Sequence, residues 1–78
     1  MTRNLKKPPK KPQIGNNIRR LRFEADEMTQ ADLAAATGVT RQTIAAIEKA
    51  RYAPTLELAF LIADAFGQPL DAVFFRED

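Results

Sequence analysis

The sequence of 78 residues contains no cysteine, histidine, serine or tryptophan. Without cysteine, the chain has no disulfides, thiolate metal sites or thiol nucleophiles. Without histidine and serine, it lacks the most frequent general base, the commonest transition-metal ligand and the usual hydroxyl nucleophile. A chain this short also has little room for a substrate cleft. We therefore expect a protein that is not an enzyme and needs no cofactor, metal or small-molecule ligand.

Long apolar runs are missing as well. No segment approaches the roughly 18 apolar residues that span a bilayer. The N-terminus begins with the positive charge of a signal peptide, but no apolar stretch follows it. The apolar fraction of 45% is ordinary for a globular domain. These features predict a soluble, cytoplasmic protein of one domain, with no membrane partner.

The formal net charge of +2 is unevenly distributed along the chain. Five cations and no acid fall within residues 1–13, among three prolines, whereas residues 14–78 hold seven cations against ten acids, a net of −3. Prolines prevent a helix in the basic stretch, and almost nothing there is apolar enough to bury. We expect a disordered basic arm over residues 1–12 and a folded domain over residues 13–78. The cations of the arm are Arg3, Lys6, Lys7, Lys10 and Lys11.

Helical periodicity and capping residues predict an all-α fold of five helices. An apolar stripe at Ile14, Ile18, Leu21 and Ala25 predicts a first helix over residues 14–25, followed by a turn at Asp26 and Glu27. Thr29 with Asp32 resembles a capping box, Gly38 is suited to a left-handed helix end, and Thr40 is a second N-cap. These signals place the second and third helices at residues 30–37 and 41–49, joined by a turn of three residues.

The last two helices follow from the same signals. Thr55 and Gly67 bound a helix over residues 56–66, in which nine of eleven residues are apolar. A helix that is apolar nearly all round must be covered on most sides, so this is the expected core helix. Pro69 fits the first position of a short fifth helix, although residues 73–75 are also compatible with extended backbone. The predicted core residues are Ile44, Ile47, Phe60 and Phe66.

The start of the third helix carries the side chains that point to a function. Arg41 and Gln42 are of the types that pair bidentately with guanine and adenine in the major groove. Ala46 keeps the helix narrow and can touch a thymine methyl, and Gln30 opens the second helix, where a phosphate is favoured. A first helix on the DNA backbone and a second helix on the bases is the geometry of a helix-turn-helix.

The run TQADLAAATGVTRQTIAAIEKARYAPTLELAFLIADAFG resembles the Xre/Cro, lambda-repressor-like helix-turn-helix regulators. That resemblance implies a five-helix domain that binds an operator as a homodimer, with an ion pair between Glu48 and Arg22. Two departures are a turn one residue longer at Asp26 and Glu27, and Ala50 where glycine is common. The implied DNA-contacting residues are Gln30, Arg41, Gln42, Thr43, Lys49, Arg51 and Tyr52. Thr40 is a cap first, with a phosphate contact secondary.

Phe74 and Phe75 are adjacent, so both cannot face the core of one subunit. One spare aromatic beside a very apolar fourth helix favours a self-complementary interface over a frayed terminus. We therefore predict a homodimer with Phe74 and Phe75 in its interface.

Double-stranded DNA is the predicted partner, and the hypothesis is a regulator, most simply a repressor on a palindromic operator. The alternative is a protein-binding module, antitoxin-like or adaptor, with the same fold. Two interpretations of the basic arm stay open: a solubilising leader, or a segment lying along the DNA backbone or in the minor groove.

Overall fold

Five helices and a two-stranded antiparallel sheet make up the fold in the computed structural model, which describes residues 10–77. The elements are β1 (Ile14–Asn16), α1 (Ile18–Glu24), α2 (Gln30–Thr37), α3 (Arg41–Glu48), α4 (Leu56–Phe66), α5 (Leu70–Val73) and β2 (Phe74–Arg76). The all-α prediction is confirmed, with the short sheet as an addition. Most of the predicted basic arm lies outside the described residues. Among those described, no helix has the length and apolarity needed to cross a bilayer.

The prediction that the first helix begins at residue 14 is wrong, because the chain there forms β1. Gly15 pairs with Phe75 and Asn16 with Phe74 in the antiparallel sheet, and α1 begins only at Ile18. Gly15 is buried in this strand pair, and a Cβ added there would lie 2.6 Å from the Phe75 ring. Pairing with a segment sixty residues away therefore overrides the helical spacing of the apolar residues.

Local capping determines where α2 and α3 begin. The Thr29 hydroxyl accepts the Asp32 N–H at 2.9 Å, and the Asp32 carboxylate accepts the Thr29 N–H at 3.0 Å. This is the reciprocal capping box that the sequence predicts. The Thr40 hydroxyl likewise accepts the Thr43 N–H at 3.1 Å. Both helix starts, and the start of α4 at Leu56, are confirmed.

Three helices end in the same left-handed turn, and one of them lacks the usual glycine. Gly38 and Gly67 end α2 and α4 with φ of 76° and 62°. After α3 the corresponding residue is Ala50, with φ of 57°. Its N–H donates to Ile47 O at 2.9 Å, and the Arg51 N–H donates to Ala46 O at 2.9 Å. This pair of bonds is the Schellman motif, and an alanine at its left-handed position costs about 1–2 kcal/mol.

The core draws on all five helices. Its large, fully buried side chains are Ile18, Leu33, Ile44, Ile47, Ile62 and Val73. The predictions for Ile44 and Ile47 are therefore confirmed, and Phe66 packs against this cluster. The prediction that Phe60 is a core residue is wrong, since it is 49% exposed. Helix α4 buries the face of Leu58 and Ile62 and leaves its opposite apolar face uncovered.

The capping box predicts a specific dependence of stability on pH. Hydrogen bonds from the Thr29 backbone N–H and the Thr29 side chain hold the pKa of Asp32 below its ordinary value of 3.8. A carboxyl with a lowered pKa stabilises the fold above its unfolded-state pKa, and this contribution is lost as pH falls through the folded-state pKa. Asp32→Asn, which keeps an acceptor but does not titrate, should be less stable than wild type at neutral pH.

Urea unfolding of the two proteins at several pH values measures this effect. The difference in free energy of unfolding should shrink below pH 3.8, where Asp32 of the wild type takes up its proton. A difference that stays constant down to pH ~2 would show that the carboxylate charge does not stabilise α2.

Candidate nucleic-acid interface

The starts of α2 and α3 lie side by side and carry exposed polar side chains. Arg41 and Gln42 are exposed on the first turn of α3. The Arg41 guanidinium Nη1 donates to Gln30 Oε1, at the start of α2, at 3.3 Å. The turn at Gly38 between the two helices brings these termini together. Arg41, Gln42 and Gln30 thus form one polar surface at the N-termini of α2 and α3.

An ion pair between α1 and α3 fixes the other end of α3. Arg22 Nε donates to Glu48 Oε2 at 2.9 Å, and Arg22 Nη2 donates to Glu48 Oε1 at 3.1 Å. The side chains are only 16% and 8% exposed, respectively. Arg22 Nη1 also donates to Met28 O at 2.8 Å. The predicted pair is therefore confirmed, and its bidentate, largely buried geometry is far more restrictive than that of a surface ion pair.

Gln30 connects this ion pair to the exposed start of α3. Its Nε2 donates to Glu48 Oε2 at 3.3 Å, while its Oε1 accepts from Arg41. A continuous polar chain therefore runs from Arg22 through Glu48 and Gln30 to Arg41. The amide group of Gln30 keeps one N–H for an outside acceptor such as a phosphate oxygen. The sequence did not reveal the two bonds of Gln30, since they join α2 to both ends of α3.

The other predicted site residues lie along α3 and the turn after it. The Thr40 and Thr43 hydroxyls share a hydrogen bond of 3.0 Å, so Thr40 acts within the protein as a cap. Gln42, Ala46 and Lys49 are spaced i, i+4 and i+7, which places them on one helix face. Ala46 and Thr43 are half-buried, whereas Thr40, Gln42, Lys49, Arg51 and Tyr52 are exposed.

The arrangement is that of two helices joined by a tight turn, and a helix-turn-helix family model matches residues 18–73 of the chain. The chain belongs to the Xre/lambda-repressor-like helix-turn-helix family.

Relatives of this helix-turn-helix protein occur in archaea and bacteria. Three of them are each named an uncharacterized HTH-type transcriptional regulator. One from Methanocaldococcus jannaschii is 55% identical over 65% of this chain and 77% of its own length. One from Methanothermobacter thermautotrophicus is 58% identical over 65% of this chain and 75% of its own length. YgzD from Bacillus subtilis is 43% identical over 81% of this chain and 94% of its own length. The helix-turn-helix protein is thus a DNA-binding transcriptional regulator.

Two asparagines that sequence reasoning did not single out hold the start of α1 to distant parts of the fold, and one of them bonds to the helix-turn-helix. Asn16 Nδ2 donates to Ile47 O, in the last turn of α3, at 2.9 Å. Asn17 Nδ2 donates to Ala72 O, in α5, at 3.1 Å. An asparagine in a predicted helix gives no sign of a partner 31 or 55 residues away. Asn16 makes its bond as the last residue of β1, and Asn17 makes its bond from the N-cap position of α1.

The buried ion pair predicts a large effect of removing one partner. Glu48→Leu leaves the Arg22 guanidinium without its countercharge, which should lower the free energy of unfolding by about 3 kcal/mol. The double variant Arg22→Met/Glu48→Leu removes both charges and should recover part of that loss. Urea unfolding of the single and double variants measures both values. A single variant within about 0.5 kcal/mol of wild type would show that the pair does not hold α3 in place.

Proposed function

We propose that this regulator binds double-stranded DNA sequence-specifically, with α3 in the major groove and bases read by Arg41 and Gln42. The observation that supports this proposal most strongly is the exposed pair at the start of α3, beside Gln30 and backed by the Arg22–Glu48 ion pair. Arg41 uses one guanidinium N–H for Gln30, which leaves donors for the O6 and N7 atoms of guanine. Gln42, whose side chain is exposed, matches the N6 and N7 atoms of adenine.

Phosphate contacts orient the protein in this proposal. Lys49 and Arg51 are exposed cations in the turn that follows α3, and Tyr52 is 48% exposed next to them. Gln30 adds a donor at the other end of the helix-turn-helix, and Thr43 adds a hydroxyl. Residues 14–78 carry a net charge of −3, so this part of the chain as a whole does not attract DNA. The attraction comes from the one surface that carries these cations.

Substitutions at the start of α3 test the proposed base readout. Arg41→Ala and Gln42→Ala should each lose about 1–3 kcal/mol of discrimination between the selected operator and a version altered at the contacted base. Titrations at fixed salt, with duplexes selected from a random pool, measure this discrimination. Arg20→Ala removes the same charge from an exposed position paired with Glu24, and it should keep the base preference of wild type.

Full operator discrimination by both α3 variants would contradict the assigned readout. The protein-binding alternative makes a different prediction: wild type would show negligible binding to any duplex across a salt series.

We further propose that the protein acts as a homodimer through an apolar surface away from α3. Two shallow grooves, of about 400 and 230 Å³, share Ile14, Leu70 and Phe74. The first groove extends to Phe75 and the second to Leu56, which are 39% and 63% exposed. Phe74 packs partly against the core, so Phe75 is the aromatic of the pair that is free for a partner. A contiguous apolar surface of this kind favours a second copy, since most soluble oligomers are symmetric dimers.

A twofold dimer would present two α3 helices to one face of the DNA. The operator would then be palindromic, with half-sites about one helical turn, ~34–36 Å, apart. Occupation of such an operator within a promoter would exclude the transcription machinery, which makes repression the simplest mode of regulation.

Truncation of the exposed apolar side chains tests this interface. Leu56→Ala/Phe75→Ala should shift the protein from dimer to monomer, because the lost apolar area supplies the association energy. Sedimentation equilibrium measures the dissociation constant. Phe23→Ala is the matched control, since Phe23 is 71% exposed on α1, outside both grooves. A wild type that stays monomeric at high concentration, or a double variant that dimerises as tightly as the Phe23 control, would rule out this surface.

The basic arm adds to the proposal through its point of attachment. Pro12 and Gln13 line a groove together with Ala50 and Tyr52, in the turn after α3. The chain therefore enters the fold beside the residues proposed to contact the DNA backbone. This position favours an arm that contacts DNA over a solubilising leader, and its lysines would steepen the salt dependence of binding.

A further inference from the structure

Asn16 connects the start of α1 to the end of α3 with one side chain. Its Oδ1 accepts the N–H of Ile18, at the start of α1, at 3.1 Å. Its Nδ2 donates to Ile47 O at 2.9 Å and lies 3.5 Å from Glu48 O, in the last turn of α3. These carbonyls belong to the group at a helix end that has no partner within the helix. Asn16 therefore adds a donor from β1 to the end of α3.

The turn that Asn16 supports is strained. Ala50 adopts a φ of 57°, which glycine tolerates and alanine resists. Strained backbone persists only where the surroundings hold it in place. Ile47 O accepts both the Ala50 N–H and the Asn16 Nδ2 at 2.9 Å, so Asn16 shares the carbonyl that closes this turn. Asn16, Ile47, Ala50 and Tyr52 also line one groove of about 400 Å³.

We propose that Asn16 is a positioning residue for DNA binding: it holds the turn after α3 so that Lys49, Arg51 and Tyr52 meet the DNA backbone. This inference rests on the proposed function. Asn16 does not touch DNA; it acts through the carbonyl of Ile47 and the backbone that continues from it. The Arg22–Glu48 pair holds the side of α3 that faces α1, and Asn16 holds the end of α3 from β1.

Asn17 provides a matched control in the next position. It has the same side chain and similar burial, and its Nδ2 also donates to a carbonyl near a helix end. That carbonyl is Ala72 O in α5, which is not part of the helix-turn-helix. A purely structural role for these amides therefore predicts similar behaviour of Asn16→Ala and Asn17→Ala. A positioning role predicts that only Asn16→Ala changes DNA binding by the folded protein.

The experiment compares wild type, Asn16→Ala and Asn17→Ala in titrations with one selected duplex over a salt series. Binding constants are corrected for the folded fraction of each variant. Asn16→Ala should bind about threefold to tenfold more weakly for each subunit, the scale of one lost hydrogen bond. The slope of log affinity against log salt concentration should also be shallower by about 1 for each subunit, which is the contribution of one phosphate contact. Asn17→Ala should keep the affinity and slope of wild type.

Amide hydrogen exchange of the free proteins gives a second readout that needs no DNA. After correction for the global stability of each variant, exchange at Ala50 and Arg51 should be faster in Asn16→Ala than in wild type. It should be unchanged in Asn17→Ala. Asn16→Asp keeps the acceptor for Ile18 but loses the donor for Ile47, so it should show the same local increase in exchange. This variant replaces Asn16→Ala in the experiment if Asn16→Ala does not fold. Unchanged exchange in both Asn16 variants would overturn the inference.

The titrations separate this inference from the proposed function. A wild type without salt-dependent binding to any duplex would show that the proposed function is wrong. A wild type that binds, together with an Asn16→Ala variant of equal affinity and slope, would overturn the role of Asn16 alone.

Discussion

The ion pair between Arg22 and Glu48 is the interaction on which the position of α3, and with it the proposed DNA-facing surface, depends. Its two hydrogen bonds of 2.9 and 3.1 Å join α1 to the end of α3, largely out of contact with solvent. Gln30 extends the same network to Arg41, which lies at the other end of α3. The exposed start of α3 is therefore connected to a largely buried ion pair. If Arg41 reads a base as proposed, its bond to Gln30 would help to preorganise it and reduce the ordering cost of binding.

The surface of the molecule divides into two parts with different chemistry. The polar part contains the starts of α2 and α3 and the cationic turn after α3. The apolar part contains the uncovered face of α4, with Leu56 and Phe60, and the exposed Phe75 of β2. β1 lies between them: Gly15 pairs with Phe75, and Asn16 bonds to the last turn of α3. This separation leaves the proposed DNA surface and the proposed dimer surface on different parts of the fold.

How far the structure could be predicted depended on the range of the interactions involved. Thr29, Gly38, Thr40 and Gly67 act within a few residues of themselves, so the limits of α2 and α4 and the start of α3 followed from the sequence. The start of α1 did not, because β1 pairs with a strand at the other end of the chain. Exposure of Phe60 was missed because the sequence of a very apolar helix does not show which of its faces the rest of the fold covers. The bonds of Gln30 and Asn16 were missed because they connect residues distant in sequence, although the family resemblance did predict the Arg22–Glu48 pair.

The most direct test of the proposed DNA-facing surface is an NMR titration of 15N-labelled protein with a duplex selected from a random pool. The titration follows the chemical shifts of the backbone amides. The largest shifts should fall on Gln30, on the first turns of α3 and on the turn from Lys49 to Tyr52. Amides of Phe23 and the middle of α4 should change little. Shifts concentrated in α4, α5 and β2, with α3 unchanged, would contradict the claim that α3 meets DNA.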